Sequence, residues 1–196
     1  MKILFIVPYA PNRVRTRPFH LIKALAAEGH QVTLATVWGN PQELTELEEL
    51  RQDLSGLLIE KIPLKQTLWN CMRALPSSHP IQSHYSWSPR LARRIAETLG
   101  ANHFDVVHVE HLRGARYGLA LLRARTPQPP LIWDSVDCIS HLFRHAAHES
   151  ASLGSRWTTR LELNRTERFE GWLATRFRHI VVTSEPDRQG ILNLAA

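Results

Sequence analysis

The chain has 196 residues, 43% hydrophobic and 21% charged, which supports one packed core of ordinary domain size and excludes global disorder. Twenty arginines and four lysines face 18 acidic residues, giving +6, and arginine favours forked contacts to phosphate or carboxylate over a diffuse lysine coat. Residues 1–100 carry +4 and 101–196 carry +2, so there is no basic tail to serve as a nucleic-acid arm, and no nucleic-acid partner is expected.

Residues 2–7 are a nearly continuous branched apolar run closed by Pro8, the pattern of a strand buried on both faces. Residues 17–28 place Phe19, Ile22, Leu25 and Ala26 at helical spacing, with Pro18 in the first turn and Gly29 past the end. A second strand spans 31–36, completing a strand–helix–strand unit. A short acidic helix over 41–53 and a strand over 57–62 follow, then a helix over 65–75. Residues 76–88 read as a polar loop, and Pro89 opens a helix that Gly100 stops. Strands at 105–109 and 130–134 flank a helix over 112–124. Two helices, 136–150 and 155–177, precede a strand at 179–183 and a last helix opened by Pro186. Six buried strands alternating with helices predict an open, doubly wound parallel α/β sheet.

Cys71 and Cys138 form neither a disulfide framework nor a CxxC pair, which fits a reducing compartment. The opening apolar run is too short for a secretory signal, and no stretch reaches membrane-spanning length, so the expected setting is the cytoplasm.

Ligands of such sheets bind beyond the carboxyl ends of the strands. The loop after the first strand, residues 8–17, has no glycine, which argues against a dinucleotide fingerprint. It carries Arg13, Arg15 and Arg17 at alternate positions before a helix start, the pattern of a phosphate or carboxylate clamp. The fourth and fifth strands run into His108-Val109-Glu110-His111 and Asp134-Ser135-Val136-Asp137, placing ionisable groups at the same edge. Asp134 or, better placed, Asp137 also has the chemistry of a cap for the next helix.

Cys138, His141, His145 and His148 suggest a metal set, but no HExxH or common zinc spacing is present, so no metal is expected. The 155–177 segment reads as a core-facing stripe with paired charges outside. Trp69, Cys71-Met72 and the Tyr85/Trp87 pair are candidates for an aromatic platform under a sugar or lipid, or a cover for the sheet edge.

Read together, Lys2-Ile3-Leu4-Phe5-Ile6-Val7-Pro8, Arg17-Pro18-Phe19-His20-Leu21, Gly29-His30-Gln31-Val32-Thr33-Leu34, Phe104-Asp105-Val106-Val107-His108-Val109 and His179-Ile180-Val181-Val182-Thr183-Ser184-Glu185 resemble the N-terminal domain of a GT-B glycosyltransferase of the retaining family-4 type. The Asp134–Asp137 segment, with the arginine-rich helix behind it, is similar to sugar transferases of bacterial exopolysaccharide and exosortase loci. The resemblance implies a Rossmann-like sheet over 1–196 forming the acceptor-side half of a two-domain enzyme, with the donor-binding C-terminal domain absent from this chain and the isolated chain inactive. It implies transfer of a hexosyl group from a nucleotide-diphosphate sugar to a glycan or lipid-linked acceptor, with retention, without a metal or other cofactor, and with peripheral contact at the inner face of the membrane.

By position, Asn12, Arg13, Arg15 and Thr16 would line the acceptor and face the donor diphosphate, in place of the Gly-Gly pair of many relatives. Asp134 or Asp137 would stand where relatives place a histidine near the reacting sugar. His108, Glu110 and His111 would touch the acceptor, and Glu185 would lie near the interdomain face. The alternative is a non-enzymatic Rossmann-like module for a sugar phosphate or lipid phosphate.

Overall fold

The computed structural model describes residues 1–124, 128–149 and 153–195, with side chains described outside 145–149 and 153–159. Its centre is a six-stranded, wholly parallel sheet. The strands are β1 (Lys2–Val7), β2 (Gln31–Trp38), β3 (Gly56–Lys61), β4 (Val106–Glu110), β5 (Leu131–Val136) and β6 (His179–Val182). Their spatial order is β3-β2-β1-β4-β5-β6, the Rossmann-like doubly wound arrangement, with its crossover reversal between β1 and β4.

Alternation along β1 sorts side chains onto two layers. Ile3, Phe5 and Val7 join Phe19 and Ile22 of α1 (Thr16–Ala27) and Leu47 and Leu50 of α2 (Pro41–Arg51). Leu4 and Ile6 join the opposite layer, built from α5 (Pro89–Ala101), α6 (His111–Leu122) and α8 (Leu153–Arg176). Both faces of the strand are therefore dry, which is why it reads as an unbroken apolar run. Asn40 caps α2 through the Glu43 amide, and Ser88 caps α5 through the Leu91 amide, each with proline next in the chain. Gly29 takes the left-handed conformation (φ 80°) that turns the chain from α1 into β2.

Between β3 and α5 the chain makes an excursion. The α3 helix (Leu64–Ala74) packs on α4 (Gln82–Tyr85), a single turn within the segment expected to be a loop, and α4 packs on α6. At the other edge, α8 packs with α7 (Ile139–Glu149) and α9 (Glu185–Ala195). Phe169, Leu173 and Phe177 are buried and Trp172 is half-buried, so the stripe holds over the second half of α8; Leu161 is 44% exposed, and the Trp157 side chain lies outside the described residues. Phe177 meets Trp133 of β5 at 5.8 Å.

Two expectations need correction. The fifth strand runs to Val136, not Asp134, and α7 starts at Ile139, not residue 136. Asp137 does not cap α7. The Cys138 amide donates to Asp187 Oδ1 of α9 at 2.9 Å, and the Ile139 and Ser140 amides donate to Glu170 of α8 at 2.7 and 3.1 Å. Carboxylates from two other helices thus fill the helix start that a local aspartate was expected to satisfy.

Candidate functional site

The first turns and loops beyond β1, β2, β3 and β4 enclose a cleft of about 410 Å³. Tyr9, Trp38 and Tyr85 give it aromatic walls; Arg15, Glu43 and Arg113 give it charge. The Arg15 guanidinium lies 5.0 Å from the Tyr9 ring centroid, and that of Arg113 lies 5.2 Å from Tyr85. Stacking holds each planar cation by its face and leaves hydrogen bonding to its edge. Arg15 pairs with Glu43 at 3.2 Å, whereas Arg113 makes no salt bridge among the described residues and its Nε is buried without a partner. Of the expected aromatic platform, Tyr85 lines the cleft, while Trp87 packs on Tyr117 at 5.0 Å and Trp69 and Met72 are exposed on α3.

Behind the cleft, Tyr9 donates its hydroxyl to Glu110 Oε1 at 2.7 Å; Glu110 Oε2 is buried and unpartnered. Glu110 stands opposite Asp134 in the β4–β5 register, so two carboxyls share one spot at the strand ends. Asp134 has no exposed surface. Its Oδ2 accepts from Arg17 at 2.6 Å and its Oδ1 from the Val136 amide at 3.0 Å. His108 Nε2 lies 3.1 Å from Oδ2 without a well-aligned hydrogen bond, its ring stacked on Phe5.

Environment drives the two carboxyls apart. Burial would raise Asp134, but His108 and Arg17 outweigh it and hold the group below its ordinary value. Burial pushes Glu110 up to about 7, against the Tyr9 hydrogen bond and with help from the Asp134 charge. Burial and the Glu110 charge raise Tyr9 as well. Burial, then Arg113, pushes His111 down to about 4, so its ring is neutral at pH 7. A fixed anion beside a carboxyl that titrates near neutrality is a pattern of functional sites.

The expected loop residues Asn12, Arg13 and Arg15 are paired with carboxylates of α2. Asn12 donates to Glu46 at 2.6 Å, Arg13 to Glu49 at 3.0 Å and Arg15 to Glu43 at 3.2 Å, so the loop is zipped onto the acidic face of α2. Thr16 is exposed at the start of α1. Asp137 is half-buried and accepts from Thr183 at 3.1 Å, at the β5–β6 ends. Glu185 is exposed at the start of α9 and paired with Arg188 at 2.8 Å. The structure therefore brings together His108, Glu110 and Asp134, with His111 one residue further, and seats only Arg15 of the loop set in the cleft.

Tyr9, Arg17, Glu43 and Arg113 complete the constellation. Arg17 was visible as the third loop arginine. Arg113 carried no signal beyond its place in the first turn after a strand end.

Among the described residues, no cluster of three or more His, Cys, Asp or Glu is arranged to hold a metal ion. The His145 and His148 side chains of the suggested set lie outside those residues. Among the described residues, no helix is long and apolar enough to cross a membrane.

No curated protein sequence matches the chain. Among solved structures, it is similar to a putative UDP-N-acetylglucosamine 2-epimerase from Listeria monocytogenes, with TM-score 0.55 and 16% identity, a likeness of fold. The alignment covers 99% of this chain and 42% of the epimerase chain, so the domain spans less than half of that protein. The profile of the glycosyl transferase 4-like domain matches residues 14–196. Sheet order and profile together identify the Rossmann-like half of a GT-B architecture. With nearly its whole length matched, the chain belongs to the glycosyl transferase 4-like domain family.

Proposed function

We propose that this domain is the acceptor-binding half of a retaining transferase that moves a hexosyl group from a nucleotide-diphosphate sugar to a glycan or lipid-linked acceptor in polysaccharide synthesis. The observation that carries the reading is the cleft at the carboxyl ends of β1–β4, with Arg113 stacked in its wall and, among the described residues, unmatched by a carboxylate. Arg15, Arg113 and Glu43 sum to one positive charge, which suits an acceptor bearing a single anionic group. Tyr9, Trp38 and Tyr85 offer faces to a sugar ring. In this reading the nucleotide sugar is held by a second domain.

The chemistry assigned to the carboxyls follows their burial. Asp134 has no surface to touch a sugar, so it acts as a positioning residue, fixing Arg17 and His108. Asp137, half-buried at the neighbouring strand ends, has surface with which to orient a hydroxyl or face positive charge at the anomeric carbon. Fixed cations would stabilise the leaving diphosphate without a metal.

The test is transfer by a chain carrying both halves, supplied with nucleotide-diphosphate sugars and anionic glycan or lipid-linked acceptors. Product with the anomeric configuration kept is expected, with Arg113→Ala raising KM for the acceptor and Asp134→Asn lowering kcat. Tight binding of a sugar phosphate with no transfer would replace this reading with the second one that the unpaired Arg113 favours: a non-enzymatic module for a sugar phosphate or lipid phosphate.

A further inference from the structure

Helix α3 is unlike the other helices of the described fold. Leu64, Leu68, Trp69 and Met72 are each more than half exposed, and so is Leu75 immediately after the helix. At 100° per residue, Leu64, Leu68, Met72 and Leu75 fall on one stripe and Trp69 beside it. The inner face is short and separate: Thr67 and Ala74 are buried, and Asn70 donates to the Trp87 carbonyl at 2.9 Å. The helix is thus held to the domain by one face and offers a contiguous apolar face to the outside. An exposed patch of several large side chains marks an interaction site on a folded protein.

Charge narrows the partner. Within α3 the only charged residues are Lys65 and Arg73, both exposed, and there is no acid. Lys61, also exposed, lies just before it with its ammonium 5.0 Å from the Trp38 ring centroid. The acids around the helix are paired: Glu162 accepts from the Ile81 amide at 2.9 Å and from Arg165 at 3.1 Å, with Arg165 also donating to the Leu75 carbonyl at 2.7 Å, Glu60 lies 3.7 Å from both Arg90 and Arg94, and Glu43 pairs with Arg15. An apolar stripe bearing Leu, Met and Trp and flanked by cations is the makeup of a helix lying in a lipid interface. Two copies meeting through this face would set like charges against each other, which disfavours self-association.

Position links the patch to the cleft. Leu64 belongs to both, starting the stripe and lining the cleft, and Thr67 lines the cleft one turn on. We propose that the exposed face of α3 docks on an anionic lipid surface, setting the mouth of the cleft at the height of lipid headgroups. This deepens the acceptor reading, which supplies only its purpose. Docking itself requires no sugar transfer, so the two stand or fall by different measurements.

The test is co-sedimentation of the chain with phosphatidylcholine vesicles and with mixed phosphatidylcholine–phosphatidylglycerol vesicles. The chain is expected to pellet with the mixed vesicles, more weakly with the neutral ones, and less at high salt. Leu68→Glu with Met72→Glu should lower partitioning about tenfold or more while leaving the urea midpoint in place, because both side chains are exposed. Lys65→Ala and Arg73→Ala should each lower binding to the anionic vesicles about fivefold. Acyl-chain-brominated lipid should quench fluorescence in the wild type and less in Trp69→Phe.

Should the double glutamate variant fail to fold, the lysine and arginine variants and the quenching measurement decide alone. A chain that stays in the supernatant with both vesicles, or variants that pellet like wild type, overturns the proposal. So does a concentration-dependent dimer that the glutamates abolish in the absence of vesicle binding, which would assign the face to a second copy.

Discussion

Replacing Arg17 by methionine keeps the aliphatic stem and removes the cation from Asp134. The carboxylate has no exposed surface, and its Oδ2 would keep only the poorly aligned His108 contact, while Oδ1 would keep the Val136 amide. Removing one partner of a fully buried pair costs about 3–5 kcal/mol, but the Arg17 side chain is 33% exposed, and water entering its place recovers part of that. The expected loss is about 2–3 kcal/mol. For a chain of this size the urea midpoint should fall by about 1 M. Arg13→Met is the control: its pair with Glu49 is 80% and 48% exposed, and its loss should move the midpoint by no more than about 0.2 M.

The pH dependence has a definite sign. Asp134 is held below its ordinary value in the folded state, so the stability it contributes is present above the unfolded pKa and is lost as pH falls through the folded one. The gap between wild type and Arg17→Met should therefore be full at pH 7 and narrow in acid. Equal midpoints for the two arginine variants, or a gap that does not change on acidification, would refute the account of Asp134 as a buried anion held by Arg17.

Glu110 should behave oppositely. Its carboxyl is raised from 4.5 to about 7, so its ionisation penalises the fold as pH rises through that window, and Glu110→Gln should gain on wild type by about 2–3 kcal/mol, read by urea unfolding on either side of it. Arg113→Ala should weaken binding of a sugar phosphate or uronate about tenfold by calorimetry, with stability changed by about 1 kcal/mol or less because no salt bridge is lost. Gly171→Ala should cost about 1–3 kcal/mol by thermal unfolding, because a Cβ there would run into the Leu194 backbone carbonyl and force α9 off α8.

Much of the fold was legible because the strands are short, rich in apolar residues and closed by Pro, Gly or a polar turn; Ile3–Val7 before Pro8, buried on both faces, is the clearest case. The edge on which the cleft opens was legible too, because strands that alternate with helices run parallel and bring their carboxyl ends to one edge. Partners were not. Glu43, Glu46 and Glu49 sit three apart, which marks one face of a helix, but nothing local says that this face meets Asn12, Arg13 and Arg15. The α7 start is satisfied by Glu170 and Asp187, 31 and 49 positions downstream, which no capping rule reaches. Arg113 looks in sequence like any helix arginine; that no described carboxylate pairs with it is a property of the packed surface.

The left-handed conformations at the strand ends connect these features. His111 and Val136 are the non-glycine residues with positive φ among those described, at 63° and 67°, just past β4 and at the end of β5. For a β-branched residue such as Val136 this conformation is strained. The β5–β6 register shifts between Asp134 and Val136, and the Val136 amide donates to Asp134 Oδ1. The strained turn therefore supplies a hydrogen bond to the buried anion. One residue past Glu110, the His111 turn lets its Nδ1 accept from the Arg113 amide at 3.2 Å, at the helix start that carries Arg113 to the cleft. Strain at both strand ends thus accompanies the placing of a charged group. Glycine would take either conformation without strain, so a non-glycine residue at both strand ends fits the binding edge proposed above.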